Sequence, residues 1–478
     1  MINTILLFPI IAGILMILFR RRWFDSFMLN AYAILHFIIT SVVCFCPVQA
    51  EFLSTKYFAF DETNKIFMLV LSIVFLMVAI YNNGYARHIN FNDNRVRRYT
   101  LMILAFVLAM TGAILSTGLG LAWVFVEATT LSSAYLIYFN KTKHSIEAAW
   151  KYVYICSIGI ALAFVGIILL TISTGNMNSL SYHDLYDSAT SFNQFWLKLS
   201  FVFVLFGIGT KMGLAPVHFW LPDAHSESPS PISGLLSAAL LNSAFLVILN
   251  VYKITVLAGC ADFGRGMMLV MGFLSLFITA VFVFHINNYK RMLAYSSVEN
   301  MGILVIGTAI GGVAMYAAIL HMIGHSLIKA SFFLTSGNIL EIYKTKKIKS
   351  VAGILKTDKK TGWLWVASFL GIVAFPPSVL FISEFLMIKE MITKGHYILC
   401  GLFVILLTIV LYGLAKAVIR MSFGQANLEK NYDENVKNVS FGMYLPQVIL
   451  LVMAFILGVY VPKFLDVMIN GTIAVLVG

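Results

Sequence analysis

Fourteen stretches of about 20 mostly apolar residues follow one another along this chain of 478 residues, each long enough to cross a bilayer's hydrocarbon core as an α-helix. They run roughly over 2–20, 28–46, 64–82, 99–116, 119–139, 150–173, 196–215, 231–256, 265–287, 293–311, 314–340, 362–388, 397–422 and 444–462. No water reaches the hydrocarbon core, so a spanning segment must satisfy its own backbone N–H and C=O groups, and a helix does so. The expected fold class is therefore an all-α integral membrane protein with about 14 transmembrane helices. Charged residues make up 11% of the chain, against about 25% in soluble domains, which excludes a soluble enzyme. The longest polar stretches, 83–98, 174–195, 341–361 and 423–443, are too short to fold alone, so 1–478 reads as one polytopic domain. The N-terminus lacks a basic region ahead of its apolar run and a small-residue cleavage site, so it reads as a first span. The five cysteines include no CxxC pair, and no zinc, iron–sulfur or disulfide framework is expected.

The charges orient the chain. Connections after odd-numbered spans carry 20 of the 33 Lys and Arg, among them Arg20 to Arg22, Arg95, Lys290, Arg291, Lys347, Lys349, Lys430 and Lys437. Even connections and the tail carry only Lys56, Lys389, Lys394 and Lys463. This bias places odd loops in the cytoplasm and both termini outside. The net charge of +12 thus reads as an orientation signal in a prokaryotic cytoplasmic (inner) membrane, with lipid as its neighbour and no nucleic-acid partner.

An ionisable group at bilayer depth costs at least about 2.5–3.5 kcal/mol and needs a partner, water or a purpose. Glu127 lies eight residues into span 5 and is too short to reach an interface. A structural ion pair or a titrating site on an ion path would explain it. Lys211 and His218 lie in GTKMGLAPVHFWLPDAH, where glycines and Pro216 interrupt span 7; backbone broken at this depth is tolerated where it lines a cavity or packs in protein. His321, His325 and Lys329 recur at i, i+4 and i+8 along span 11, on one face. Two such histidines suit a metal, but no third ligand is spaced to match and there is no HExxH, so a proton wire is the better reading. In span 12, Pro376 and Pro377 break the helix two turns before Glu384. Spans 7 and 12 thus both pair a break with a charge, and spans 5 and 10 carry Glu127 and Glu299. Both offsets are five spans. An odd offset implies two inverted repeats, spans 4–8 and 9–13. The chain then divides into 1–98 (three spans), 99–256 (first repeat), 265–422 (second repeat) and 423–478 (final span and tail). Lys253 and Lys416 fall at matching late positions in spans 8 and 13, where snorkelling would also explain them.

The stretches KMGLAPVHFWLPDAHSESPSPISGLLSAALLN, KRMLAYSSVENMGI and HMIGHSLIKASFFLTSGNI resemble the antiporter-like membrane subunits of complex I, Mrp-type cation/proton antiporters and membrane-bound [NiFe] hydrogenases. The resemblance covers about 99–420. SSVENMG with Glu299, together with Asn242, looks most like the hydrogenase-4 component F branch of formate hydrogenlyase-type complexes. The resemblance implies 14 helices, a proton path through Glu127, Lys211, His321, His325, Lys329 and Glu384, and no redox centre in this chain. It also implies a hydrophilic partner arm with [NiFe] and iron–sulfur clusters, or an NADH-type arm, beside further membrane subunits, with H+ or Na+ as cargo. Asn242 stands where complex I subunits of this kind usually carry Lys, which puts a three-lysine relay in doubt. A stand-alone secondary solute transporter is the alternative from another class.

Overall fold

A computed structural model describes residues 1–46, 48–88, 92–175, 179–424 and 439–477; Lys430 and Lys437 lie outside the described residues. Almost all of it is helix. The first spans are α1 (Ile2–Leu18), α2 (Arg22–Phe45), a short α3 (Ala50–Leu53) and α4 (Glu62–His88). Next come α5 (Asp93–Leu115), α6 (Leu119–Tyr138), α7 (Lys143–Ser173), a short α8 (Tyr182–Asp187), α9 (Gln194–Met212) and α10 (Trp220–Glu227). Span 8 combines α11 (Ser230–Leu235), a π turn over Leu236–Leu240 and α12 (Leu241–Leu257). The second half comprises α13 (Ala261–Phe282), α14 (Tyr289–Ile310), α15 (Val313–Tyr343), a short α16 (Ile354–Thr357), α17 (Lys359–Ile372), α18 (Val379–Thr393), α19 (Tyr397–Ser422), α20 (Phe441–Val459) and α21 (Lys463–Val477).

Among the described residues, twelve helical segments are long and apolar enough to cross a membrane. The 17-residue α1 and the split pair α17–α18 supply the other two of the fourteen spans expected from sequence. Connections after odd spans meet each other, as in Asn140 to the Glu227 carbonyl (3.2 Å), Lys346 to Glu227 (2.9 Å) and Arg291 to Asp223 (3.0 Å). Connections after even spans meet on the opposite face, through the Phe58–Ser116 and Gly118–Ser181 bridges and Lys394 to the Ile310 carbonyl (2.6 Å). This segregation requires every span to reverse the chain's side. The helix α21, absent from the sequence expectation, lies on the even face, where Tyr316 donates to Asp466 (2.8 Å) and Thr472 to the Glu62 carbonyl (3.1 Å).

Local chemistry sets many helix ends. Side chains of Asn92, Thr142, Asn193, Asn288 and Asp358 accept from the first-turn N–H groups of α5, α7, α9, α14 and α17, replacing bonds those donors cannot make within the helix. The two breaks have different causes. In span 7, Gly213 at φ 82° takes the left-handed conformation that ends α9; a Cβ there would sit 2.4 Å from Leu221. In span 12, Pro376 and Pro377 carry no N–H and stop α17, and Ser378 caps α18.

Equivalent helices of the two repeats pack alike: α5 on α6, α6 on α7 and α7 on α9, then α13 on α14, α14 on α15 and α15 on α17. Spans 8, 10 and 11 are enclosed by the others, so their polar residues face protein. Small residues draw α7 and α9 together: a Cβ on Gly207 would lie 2.4 Å from the Ala163 nitrogen and 2.6 Å from the Gly159 carbonyl. Close backbone approach of this kind is the usual basis of helix association in membranes. Backbone cannot rotate away, so Gly207→Ala is expected to cost about 1–3 kcal/mol. The check is a lower thermal midpoint of the purified complex, with Gly401→Ala, where a Cβ meets open space, unchanged.

Candidate functional site

Hydroxyls and amides join several of the expected intramembrane groups into two arms. The first arm starts at Glu127 on α6. Thr130 donates to the Glu127 carboxylate (2.9 Å), and Ser133, one turn on, shares a 2.6 Å hydrogen bond with the Tyr152 hydroxyl of α7. Lys211, fully buried on the last turn of α9, donates to the same hydroxyl (2.9 Å) and lies 4.7 Å from that ring's centroid. Lys211 lies in the field of Glu127, with Tyr152 and Ser133 standing between them, because α7 packs between α6 and α9.

The second arm is built on α15. Asn242, just past the π turn of span 8, donates to Ser326 (2.7 Å); such turns often mark functional sites. Lys329 is fully buried and donates to Ser296 and to the Leu293 carbonyl (2.7 Å). His321 bridges two helices, its rings' nitrogens bonded to Asn300 of α14 (3.0 Å) and Ser383 of α18 (2.9 Å). Ser383 precedes Glu384 in the chain. Glu384 and Glu299 line one cavity of about 140 Å³ at the span 12 break, and Glu299 also lies in the field of Lys329.

Between the arms, several buried polar atoms have no protein partner: Asn242 Oδ1, both ring nitrogens of His325 and both of His225. Buried polar atoms are almost always satisfied, by protein or by ordered water. His225 sits on α10 and stacks on Phe333 (4.9 Å, 14°), whose ring also lies 6.0 Å from Lys329 Nζ. Sequence analysis missed His225, although it closes the quoted LPDAH. It also missed Tyr152, Ser326, Asn300 and Ser383, because neutral polar residues on apolar spans resemble ordinary helix content.

Other expected residues lie off these arms. His218 is buried in the span 7 break, 6.2 Å ring to ring from Tyr295. Lys253 lies with Nζ 4.0 Å from the Tyr186 ring centroid, toward the even face. Lys416 is exposed on α19 and is not brought to the axis. Among the described residues no group of three His, Cys, Asp or Glu is arranged to hold a metal ion, and all five cysteines are free.

A family model described as NADH:quinone oxidoreductase/Mrp antiporter, TM, matches residues 116–411. Over 470 residues the chain is 32% identical to the Hydrogenase-4 component F homolog of Methylacidiphilum infernorum (isolate V4), covering 96% of each. In three dimensions it is similar to a chain of the Mrp complex from Dietzia sp. DQ12-45-1b, at TM-score 0.85 and 17% identity, covering 100% of this chain and 99% of that one. A chain of respiratory complex I from Thermus thermophilus is similar at TM-score 0.79 and 19% identity, covering 96% and 97%.

Proposed function

Because the chain belongs to the NADH:quinone oxidoreductase/Mrp antiporter family of membrane subunits, we propose that it is the ion-translocating subunit of a membrane-bound [NiFe] hydrogenase of the hydrogenase-4, formate hydrogenlyase type. One observation carries this reading: two arms of polar groups, the half-buried Glu127 with Thr130, Ser133, Tyr152 and the buried Lys211, and the buried Asn242, Lys329 and His321 leading to Ser383 beside the half-buried Glu384, stand in helices that otherwise have no use for costly polar groups. The similarity to the Hydrogenase-4 component F homolog supports the choice of partner. Electron chemistry belongs to a hydrophilic arm on other chains, with its own [NiFe] and iron–sulfur centres. This chain contributes charge movement. A proton held on Lys211 passes along the hydrated middle to Lys329 and leaves through Glu384. Neutral Asn242 orients water there and holds no proton.

Purification of the tagged chain in mild detergent tests the assignment. Hydrogenase large and small subunits are expected to co-purify, and the vesicle-reconstituted complex to acidify one compartment during hydrogen turnover. Co-purified NADH-module subunits would move the chain to a complex I assembly instead. Recovery as a lone protein that takes up an organic solute would retire both.

The proposed orientation puts odd connections in the cytoplasm of a prokaryotic cell, with seven basic residues between Lys344 and Lys360 on that side. Ser350 is exposed there. Cysteine placed at this position is expected to react with an impermeant maleimide in inverted vesicles and to stay unlabelled in intact cells. The opposite pattern would invert the topology.

A further inference from the structure

A groove of about 560 Å³ opens between α17 and α20 on the outside of the helix bundle. Ala367, Val448 and Phe455 line its length. Its floor, Leu364, Tyr444 and Leu451, is a small cluster apart from the main core, so the two helices pack at depth and part toward the surface. On α20 the lining runs from Phe441 to Phe455, about 21 Å at 1.5 Å per residue. That length takes in the headgroup boundary and the hydrocarbon of one leaflet, half of a core about 30 Å thick. The mouth is basic. Lys359, Lys360 and Trp363 border it and are exposed. On the same connection Lys344 pairs with Glu341 (2.7 Å) and Lys346 with Glu227 (2.9 Å), whereas among the described residues Lys359 and Lys360 have no carboxylate partner. Lys360 lies over the Tyr444 ring, 5.5 Å from its centroid, which holds the amine above the groove. Asp358 beside them is occupied. It accepts from the hydroxyls of Tyr444 and Thr361 (both 2.6 Å) and from the Lys360 N–H (3.1 Å).

Two cations above an apolar slot one leaflet deep, beside a tryptophan at the membrane boundary, match a phospholipid, with its phosphate at the mouth and its chain below. Basic pockets between membrane helices hold anionic headgroups in this way. An apolar helix of a partner subunit would cover the slot and leave both amines without a counter-charge. We propose that the groove binds one anionic phospholipid, its phosphate between Lys359 and Lys360 and an acyl chain along α20. That the lipid comes from the cytoplasmic leaflet rests on the orientation proposed above; the binding does not.

The whole complex is reconstituted in phosphatidylcholine vesicles with a small share of phosphatidylglycerol carrying a diazirine in its acyl chain. Irradiation and mass spectrometry then read which residues are labelled. Labels are expected on Ala367, Val448 and Phe455, removed by excess unlabelled phosphatidylglycerol and kept when the excess is phosphatidylcholine. Each lysine beside a headgroup strengthens binding several-fold, so Lys359→Gln combined with Lys360→Gln should lower the labelling roughly tenfold. Lys356→Gln removes an exposed lysine of the same connection that does not line the groove. It should leave the labels unchanged, which separates a built site from general attraction to a basic loop. Ala367→Trp fills the slot beneath intact lysines and should abolish the labels, with recovery of the assembled complex showing that the fold survives. Competition by phosphatidylcholine equal to that by phosphatidylglycerol, labels unchanged in the double lysine variant, or an equal loss in Lys356→Gln would each overturn the site. So would a groove that takes no label because a partner subunit covers it.

Discussion

Lys211→Ala leaves the complex assembled but abolishes its ion pumping: this is the largest effect expected at any single position. Lys211 is fully buried at the end of α9 and its amine donates to the Tyr152 hydroxyl. Removing it takes the buried cation from the first arm, and the hydroxyls of Tyr152 and Ser133 beside it hold no proton in its place. Assembly survives because the α7–α9 contact is made by Gly159, Ala163 and Gly207, not by the lysine. Glu127→Gln is expected to stop pumping too, since Thr130 then keeps a neutral partner where a charge stood. Tyr152→Phe separates the contributions. It keeps the ring beneath Lys211 and deletes the hydroxyl joining Lys211 to Ser133. A hydrogen bond to a charged group is worth about 1.5–3 kcal/mol, so pumping should fall roughly tenfold or more without vanishing. Proton uptake by reconstituted vesicles during hydrogen turnover measures all three. Normal pumping in Lys211→Ala would remove the first arm from the path.

The second large effect lies at the other end. Glu384→Gln is expected to stop pumping, and Glu384→Asp, one methylene shorter, to retain part of it. The aspartate keeps a carboxylate in the cavity at the α17–α18 break. Replacing Pro376 and Pro377 by Ala restores backbone N–H groups and lets α17 continue. The Ile372 and Val373 carbonyls then gain donors and the path to water narrows, so transport should slow with no charge removed. The vesicle assay, run with a permeant counter-ion so that membrane potential does not limit the rate, reads each variant. If the Pro376/Pro377 double variant and Glu384→Gln both pump normally, Glu384 is structural and the exit passes to a neighbouring subunit.

Much of the fold was legible in the chain alone. Whether a segment spans a bilayer depends on its length and its summed transfer cost, which are properties of consecutive residues, so spans and their alternation could be counted. The breaks were legible because Pro376 and Pro377 lack N–H groups whatever surrounds them. Charged members of the axis stood out because a charge in an apolar run has no local explanation. The neutral members did not. A serine or tyrosine on a membrane helix costs little, so Ser133, Tyr152, Ser326 and Ser383 carried no signal until packing placed them against Lys211, Asn242 and His321. That Tyr152 and Ser133 stand between Glu127 and Lys211 carried no signal for the same reason, because which helix stands between two others is decided by contacts such as Gly207 on Ala163. Lys253 and Lys416 show the limit most plainly. They share a register in the two repeats, yet one lies over the Tyr186 ring and the other is exposed on α19. Sequence determined which groups would be buried at a cost in the membrane; tertiary structure alone decided which of them touch, because the rotation of each helix about its axis is set by residues far away in the chain.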